Sequence, residues 1–221
     1  MTPSAGVIGQ AGLQFFGKMC ASISHDIKNV LAVINENAGL LEDLCLMAEK
    51  GRPIEPVRLK RLAGDVQEQV RRGDRIVTGM NRFAHSADAP NMDVDLPEMA
   101  DLLAALAVRF AAAKGVRVQV MSPSRGKVRI TTSPFMLLNL MWLCLEGAMA
   151  SAGPGRTIEL AAEDGAEGAR LRFRGLQDVD RVQNCLFSAA AFGELCSSLK
   201  AEMSFATDGN EMSLLLPIHR G

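Results

Sequence analysis

Apolar residues return every third and fourth position over residues 20–48, and this repeat limits what the chain can build. Cys20, Ile27, Ile34, Leu41 and Ala48 share one heptad position. Ile23, Val30 and Leu44 share the paired one, with Asn37 as its polar member. Such an a/d seam belongs to a helix that buries one stripe against other helices. The seam also fixes what faces away from it. In the run Ser22-Ile23-Ser24-His25-Asp26-Ile27-Lys28-Asn29, His25 falls at position f, farthest from the seam. Its imidazole is therefore expected in water and open to a partner. Asn29 lies one turn further on and Ser22 one turn back, both expected on the same face.

This first helix is expected over residues 10–49, after a frayed start at 1–9. Lys50-Gly51-Arg52-Pro53-Ile54-Glu55-Pro56 breaks it with one Gly and two Pro. A second helix follows to residue 85, with an apolar stripe of Leu59, Leu62, Val66, Val70, Ile76, Val77, Met80 and Phe83. Gly73 and Gly79 weaken it locally, since each costs about 1 kcal/mol against Ala in a helix interior. Helices of this length span on the order of 50 Å. A single hairpin that long cannot cover its own seam, and dimerisation into a four-helix bundle is the economical solution.

Residues 86–97 have the composition of a linker, and beyond them the pattern turns mixed. Helices are expected over 98–113, 134–150 and 189–200, and strands over 116–121, 128–131, 157–162, 169–174, 203–206 and 211–217. Two hairpins are expected, at Asp164-Gly165 and at Asp208-Gly209-Asn210. The expected fold is α+β: a helical hairpin over 10–86, then an α/β domain over 97–219 whose sheet carries helices on one face.

A net charge of -1 gives no reason to expect nucleic acid or an anionic membrane surface as a partner. The apolar run 135–145, interrupted by Asn139, is shorter than the roughly 20 residues a bilayer span needs, and the N-terminus lacks the layout of a signal peptide. Cys20, Cys45, Cys144, Cys185 and Cys196 are odd in number and widely spaced, with no CxxC pair. They read as reduced, buried thiols in a cytoplasmic protein, with no metal or disulfide role. Met19, Met47, Met80, Met136, Met141 and Met149 fall on apolar stripes and read as core filler. His85 and His219 read as ordinary surface residues, and Arg71-Arg72-Arg75 as a solvated helix face.

The hairpin resembles the dimerisation and histidine-phosphotransfer domain of sensor histidine kinases. Their phosphorylation box reads His, then Glu or Asp, two residues, then Thr or Asn. It stands here as His25-Asp26-Ile27-Lys28-Asn29, with Val30 where the family often has Pro. The stretch from Arg72 to His85 is similar to the second helix of such kinases, and the C-terminal part to their ATP-binding domain in order of elements. The resemblance covers about residues 13–219. The nucleotide motifs depart from it. Leu145-Glu146-Gly147-Ala148 has Gly147 where these kinases place the Asn that holds Mg²⁺, and glycine has no side-chain oxygen for a hard cation. Their Asp-x-Gly-x-Gly box is reduced to Gly175-Leu176-Gln177-Asp178, with the acid misplaced. Of the next glycine-rich box only Gly193 survives, and residues 178–190 are short for a lid over ATP.

The resemblance therefore implies a histidine phosphotransferase built from a degenerate kinase, like the bacterial cell-cycle and sporulation phosphotransferases. Phosphate would pass between receiver-domain aspartates through His25, with no cofactor bound by the chain and Mg²⁺ supplied by the receiver. Histidine, with an ordinary pKa of about 6.5, offers a neutral ring nitrogen as nucleophile at neutral pH. Asp26 would bond the other ring nitrogen and fix the tautomer, or help take up its proton. Lys28 and Ser22 are candidates for phosphate or partner contact. The expected partners are a second copy of the chain, receiver domains of response regulators and a hybrid histidine kinase. Two alternatives stand beside this: an aspartyl-phosphate phosphatase in which Asp26 and Asn29 orient water, and a non-catalytic pseudokinase that binds a receiver or a kinase.

Overall fold

The computed structural model of the chain describes residues 4–122, 127–206 and 210–218, and for 4–8 the backbone only. His219 and the expected turn residues Asp208 and Gly209 lie outside the described residues. The fold is α+β, with two long helices followed by a mixed domain. Helix α1 runs over Ser4–Glu49 and α2 over Pro56–His85. Between them Gly51 takes a φ of 78°, a left-handed turn that an L side chain rarely adopts, and Pro56 opens α2 where its missing N–H costs nothing. The compact units do not divide at the 86–97 linker. One is Met19–Asn81; the other is Met1–Lys18 with Arg82–Gly221.

Within Met19–Asn81 the heptad seam is visible in the burial. Ile23, Val30, Asn37 and Leu44 are buried, while Cys20, Ile27, Ile34 and Leu41 are half-buried. Asn37 satisfies itself, its Nδ2 donating to Val33 O at 2.8 Å in its own helix. On α2 the covered line is Leu62, Val66, Gln69, Gly73, Ile76 and Met80, in steps of three and four; Leu59, Val70 and Val77 from the expected stripe face out. Gly73 faces Val30 of α1, and a Cβ there would meet Val30 Cγ1 at 3.5 Å, an ordinary van der Waals contact. The outer face of α2 is knit by Glu68, which accepts from Arg71 Nη2 at 2.9 Å and lies 3.5 Å from Arg75. The Arg71 guanidinium bonded to it, with Arg75 behind, holds the Glu68 carboxyl below its ordinary range.

In the other unit the linker contains a strand. β1 (Met92–Asp95) pairs antiparallel with β3 (Arg129–Thr132), Met92 opposite Thr132 and Asp95 opposite Arg129. The main sheet comprises β2 (Arg117–Met121), β4 (Thr157–Asp164), β5 (Ala169–Arg174), β6 (Glu202–Phe205) and β7 (Glu211–Leu216), in the order β2-β4-β5-β7-β6. β2 runs parallel to β4 and the other pairs are antiparallel. β5 alternates strictly: Ala169, Leu171 and Phe173 are buried, Arg170, Arg172 and Arg174 partly exposed. On that outer face Arg172 pairs with Glu163 and Glu211, and Arg174 with Glu211 at 2.6 Å.

Helices α3 (Leu96–Ala113) and α4 (Pro134–Ala152) lie against the sheet. Onto α4 pack α5 (Val179–Ser188) and α6 (Phe192–Leu199). Covered on several sides, α4 is apolar nearly all round, with Leu137, Leu138, Leu140, Met141, Cys144 and Leu145 at 0 % exposure. By length and composition it is the one described helix that could cross a membrane, but 72 % of that window is buried inside the protein, as for a core helix. Phe15, Phe83, Phe135 and Trp142 form an aromatic cluster in the same unit, Phe15 edge-on to Phe83 at 5.5 Å.

Helix α5 lies within residues 178–190, for which the sequence predicts no element. Its signals were local and small: Asp178 as N-cap, accepting from Arg181 N at 2.9 Å, and Val182 and Leu186 one turn apart, both buried. The cysteines also depart from expectation. Of the five, Cys144 alone is buried; Cys45 is exposed and Cys20, Cys185 and Cys196 are half-buried.

Candidate functional site

His25, Asp26, Lys28 and Asn29, compared above with a phosphorylation box, follow one another on α1, inside the unit Met19–Asn81. The seam buries Ile23 and Val30 and so turns the opposite face outward. His25 has 49 % of its side chain exposed, and Lys28 and Asn29 are exposed beside it. The i,i+4 spacing brings Asn29 Nδ2 to 3.2 Å from His25 Nδ1. Asp26 Oδ1 is 3.8 Å from the same nitrogen, beyond hydrogen-bond reach, and the Asp26 side chain is 25 % exposed. The ring nitrogen that Asp26 was expected to hold is therefore held by Asn29. A second expectation is corrected at Ser22, which is only 3 % exposed and does not share the open face. One turn back from an f position lies b or c, and at Ser22 that edge falls on the covered side. Lys28 makes no ion pair among the described residues, so its ammonium is free to meet an anion.

Chemically the arrangement offers one nucleophile. Nδ1 is engaged and Nε2 has no hydrogen-bond partner among the described residues. No group of three His, Cys, Asp or Glu side chains that could hold a metal ion occurs among them either. His85, by contrast, is tied to Asp88 Oδ2 at 2.7 Å at the end of α2.

The residues compared above with nucleotide motifs are structurally occupied. A Cβ on Gly147 would lie 3.4 Å from Val182 Cγ1 and 3.8 Å from Cys185 Cβ, so α5 covers this position of α4. Gly175 has a φ of 91°, and a Cβ there would come within 2.3 Å of Thr157 O; the close approach of β4 accounts for that glycine. Asp178 is spent on capping α5. At Gly193 neither backbone nor neighbours demand a glycine. Burial pushes the Cys144 thiol well above its ordinary pKa and raises Cys196 more modestly.

Sequence reasoning passed over Lys18. Its Nζ lies 2.5 Å from Glu146 Oε1 and 4.8 Å from the centroid of the Trp142 ring, which clasps α1 to α4 within one unit. Beside it opens a cleft of about 460 Å³, lined among others by Gln10, Gln14, Asn139 and Ala190. The signal for the clasp was the lone cation Lys18 between Phe16 and Met19, at the edge of an apolar stripe.

No family model matches the chain, and no curated protein matches it in sequence. Among solved structures it is similar to the catalytic domain of histidine kinase ThkA, at 10 % identity over 58 % of this chain and 96 % of that one, with a TM-score of 0.48. A bacterial phosphotransferase matches at 14 % identity over 91 % of this chain and 95 % of that one, with a TM-score of 0.47. Acinetobacter baumannii histidine kinase AdeS matches at 9 % identity over 89 % and 98 %, with a TM-score of 0.46. These values describe a similar outline and assign no residue a role.

Proposed function

We propose that the chain is a cytoplasmic histidine phosphotransferase of a two-component phosphorelay. It acts as a homodimer and passes phosphoryl groups between receiver-domain aspartates through His25. The observation that carries this reading is the exposed imidazole with Nδ1 at 3.2 Å from Asn29 and Nε2 without a hydrogen-bond partner among the described residues, on a helical hairpin whose box resembles that of histidine kinases. Transfer needs a positioned nucleophile and a partner that brings phosphate, metal and lysine, and little else from this chain. Lys28 is placed to neutralise phosphate charge.

Phosphate made elsewhere is favoured because the chain's own residues do not fit a nucleotide. Gly147 offers no side-chain oxygen and is covered by Val182, and Asp178 caps a helix instead of facing a base. Dimerisation is supported by the apolar side chains left exposed on the hairpin, among them Leu40, Val57, Val70 and Val77 at 41–71 %.

The test is incubation with a receiver domain carrying labelled aspartyl phosphate. Label is expected on the protein and lost in His25→Ala. Free phosphate released equally by His25→Ala, but not by Asn29→Ala, would replace transfer by hydrolysis. A receiver that binds yet keeps its phosphate would reduce the chain to an interaction module.

A further inference from the structure

Helix α4 carries an amide where its packing gives no reason for one. Asn139 stands between Leu138 and Leu140, both at 0 % exposure, and is itself only 3 % exposed. Its side chain has no hydrogen-bond partner among the described residues. Asn37, the other asparagine buried among them, shows the usual solution, donating to a carbonyl of its own helix. A primary amide withdrawn from water without a partner costs free energy, and buried polar groups are nearly always bonded. Asn139 lines the cleft of about 460 Å³ beside Lys18, which lies wholly within one unit. We propose that this cleft binds a small uncharged molecule bearing an amide or lactam group, and that Asn139 is the residue that recognises that group.

The charge of the lining selects the ligand class. Lys18 is its one cation, and Glu146 at 2.5 Å and the Trp142 ring already engage it. The cleft therefore presents no net charge, and an anion such as a nucleotide phosphate would have to break the ion pair. Gly147, Gly175 and Asp178, the positions compared with nucleotide motifs, do not line it. Gln10 and Gln14, exposed and one turn apart on α1, bring two further amides to the rim. An amide offers a donor and an acceptor side by side, and an amide ligand answers with both. A carboxylate or an ammonium can make only half of that match. Phe15, Leu143 and Ala191 supply apolar wall for the rest of the molecule. Neither His25 nor its neighbours take part, so the site stands independently of the phosphotransfer reading.

Trp142 is the chain's one tryptophan and there is no tyrosine, so intrinsic fluorescence reports on the cleft directly. The full chain is titrated at neutral pH with three uncharged amides, benzamide, nicotinamide and N-phenylacetamide. Benzoate, benzylamine and ATP serve as charged counterparts. At least one amide is expected to give a saturable change in Trp142 emission, and the charged counterparts none. Asn139→Leu, close in volume, should weaken that binding about tenfold, the effect of losing the paired hydrogen bonds. It should also keep or raise the urea midpoint, because an unpartnered amide has been removed. Gln14→Ala lies on the exposed rim and leaves the core alone; it should weaken binding about fivefold, so the site is tested even where Asn139→Leu disturbs packing. Failure of every amide to saturate would leave water as the occupant and overturn the inference. An equal response to benzoate, benzylamine or ATP would overturn it too, as would amide binding that Asn139→Leu and Gln14→Ala leave unchanged.

Discussion

At the scale of single residues, what distinguishes side chains here is which surroundings leave them free to react. His25 was legible because a heptad seam fixes direction, and the position opposite the seam is the one that meets solvent. Its partner was not legible: Asp26 and Asn29 are both near in sequence, and only the rise and twist of the helix decide that the amide reaches Nδ1 while the carboxylate stops at 3.8 Å. Ser22 failed for a related reason, since residues at the edge of a face are covered or open by a few tens of degrees. The cysteines carry a prediction at this scale. Burial penalises the thiolate of Cys144 and pushes its pKa up, so it stays a protonated, unreactive thiol at neutral pH. A maleimide or iodoacetamide reagent at pH 7 should modify exposed Cys45 first and leave Cys144 untouched, with peptide mass spectrometry as the readout. Labelling of Cys144 should begin only in denaturant.

At the scale of elements, periodicity and caps explain most of what was expected and part of what was missed. The long helices, β5 and the apolar α4 follow from repeats of 3.6 and 2 that run for many residues. β1 and α5 are short, and for them the decisive information is tertiary: β1 exists because β3 pairs with it, and α5 because α4 offers a face to cover. Two glycines in α2, Gly73 and Gly79, both have room for a side chain. Nothing lies within 4 Å of a Cβ on Gly79, so Gly79→Ala should stabilise the protein by about 0.5–1 kcal/mol in urea unfolding. At Gly73 the added Cβ meets Val30 Cγ1 at 3.5 Å, an ordinary van der Waals contact, so Gly73→Ala should stabilise by a similar amount. Gly175→Ala should cost on the order of 2 kcal/mol or more, because its φ of 91° and the approach of Thr157 O leave no room for a Cβ. Removing the α5 cap in Asp178→Ala should cost about 1 kcal/mol.

At the scale of the whole molecule, the hairpin's exposed valines predict association. The protein should sediment as a dimer, and Val70→Lys with Val77→Lys should shift it to monomer without loss of helix by circular dichroism. The outcome to watch is a parent protein that is monomeric at micromolar concentration, which would remove the dimer from the proposed function. Order of elements in the second unit was readable from alternation and turn residues. The way they enclose one another was not, since coverage of Gly147 by Val182 joins positions 35 residues apart with no local sign in either. That coverage also bears on the chain's evolutionary reach. An asparagine at position 147 would need Val182 and Cys185 to withdraw, and an acid moved back toward a base-reading position would leave α5 without its cap. Each single step toward nucleotide binding therefore passes through a less stable protein. Reversion is uphill from both ends, and under the proposed function His25 would depend on partner proteins for every phosphate it carries.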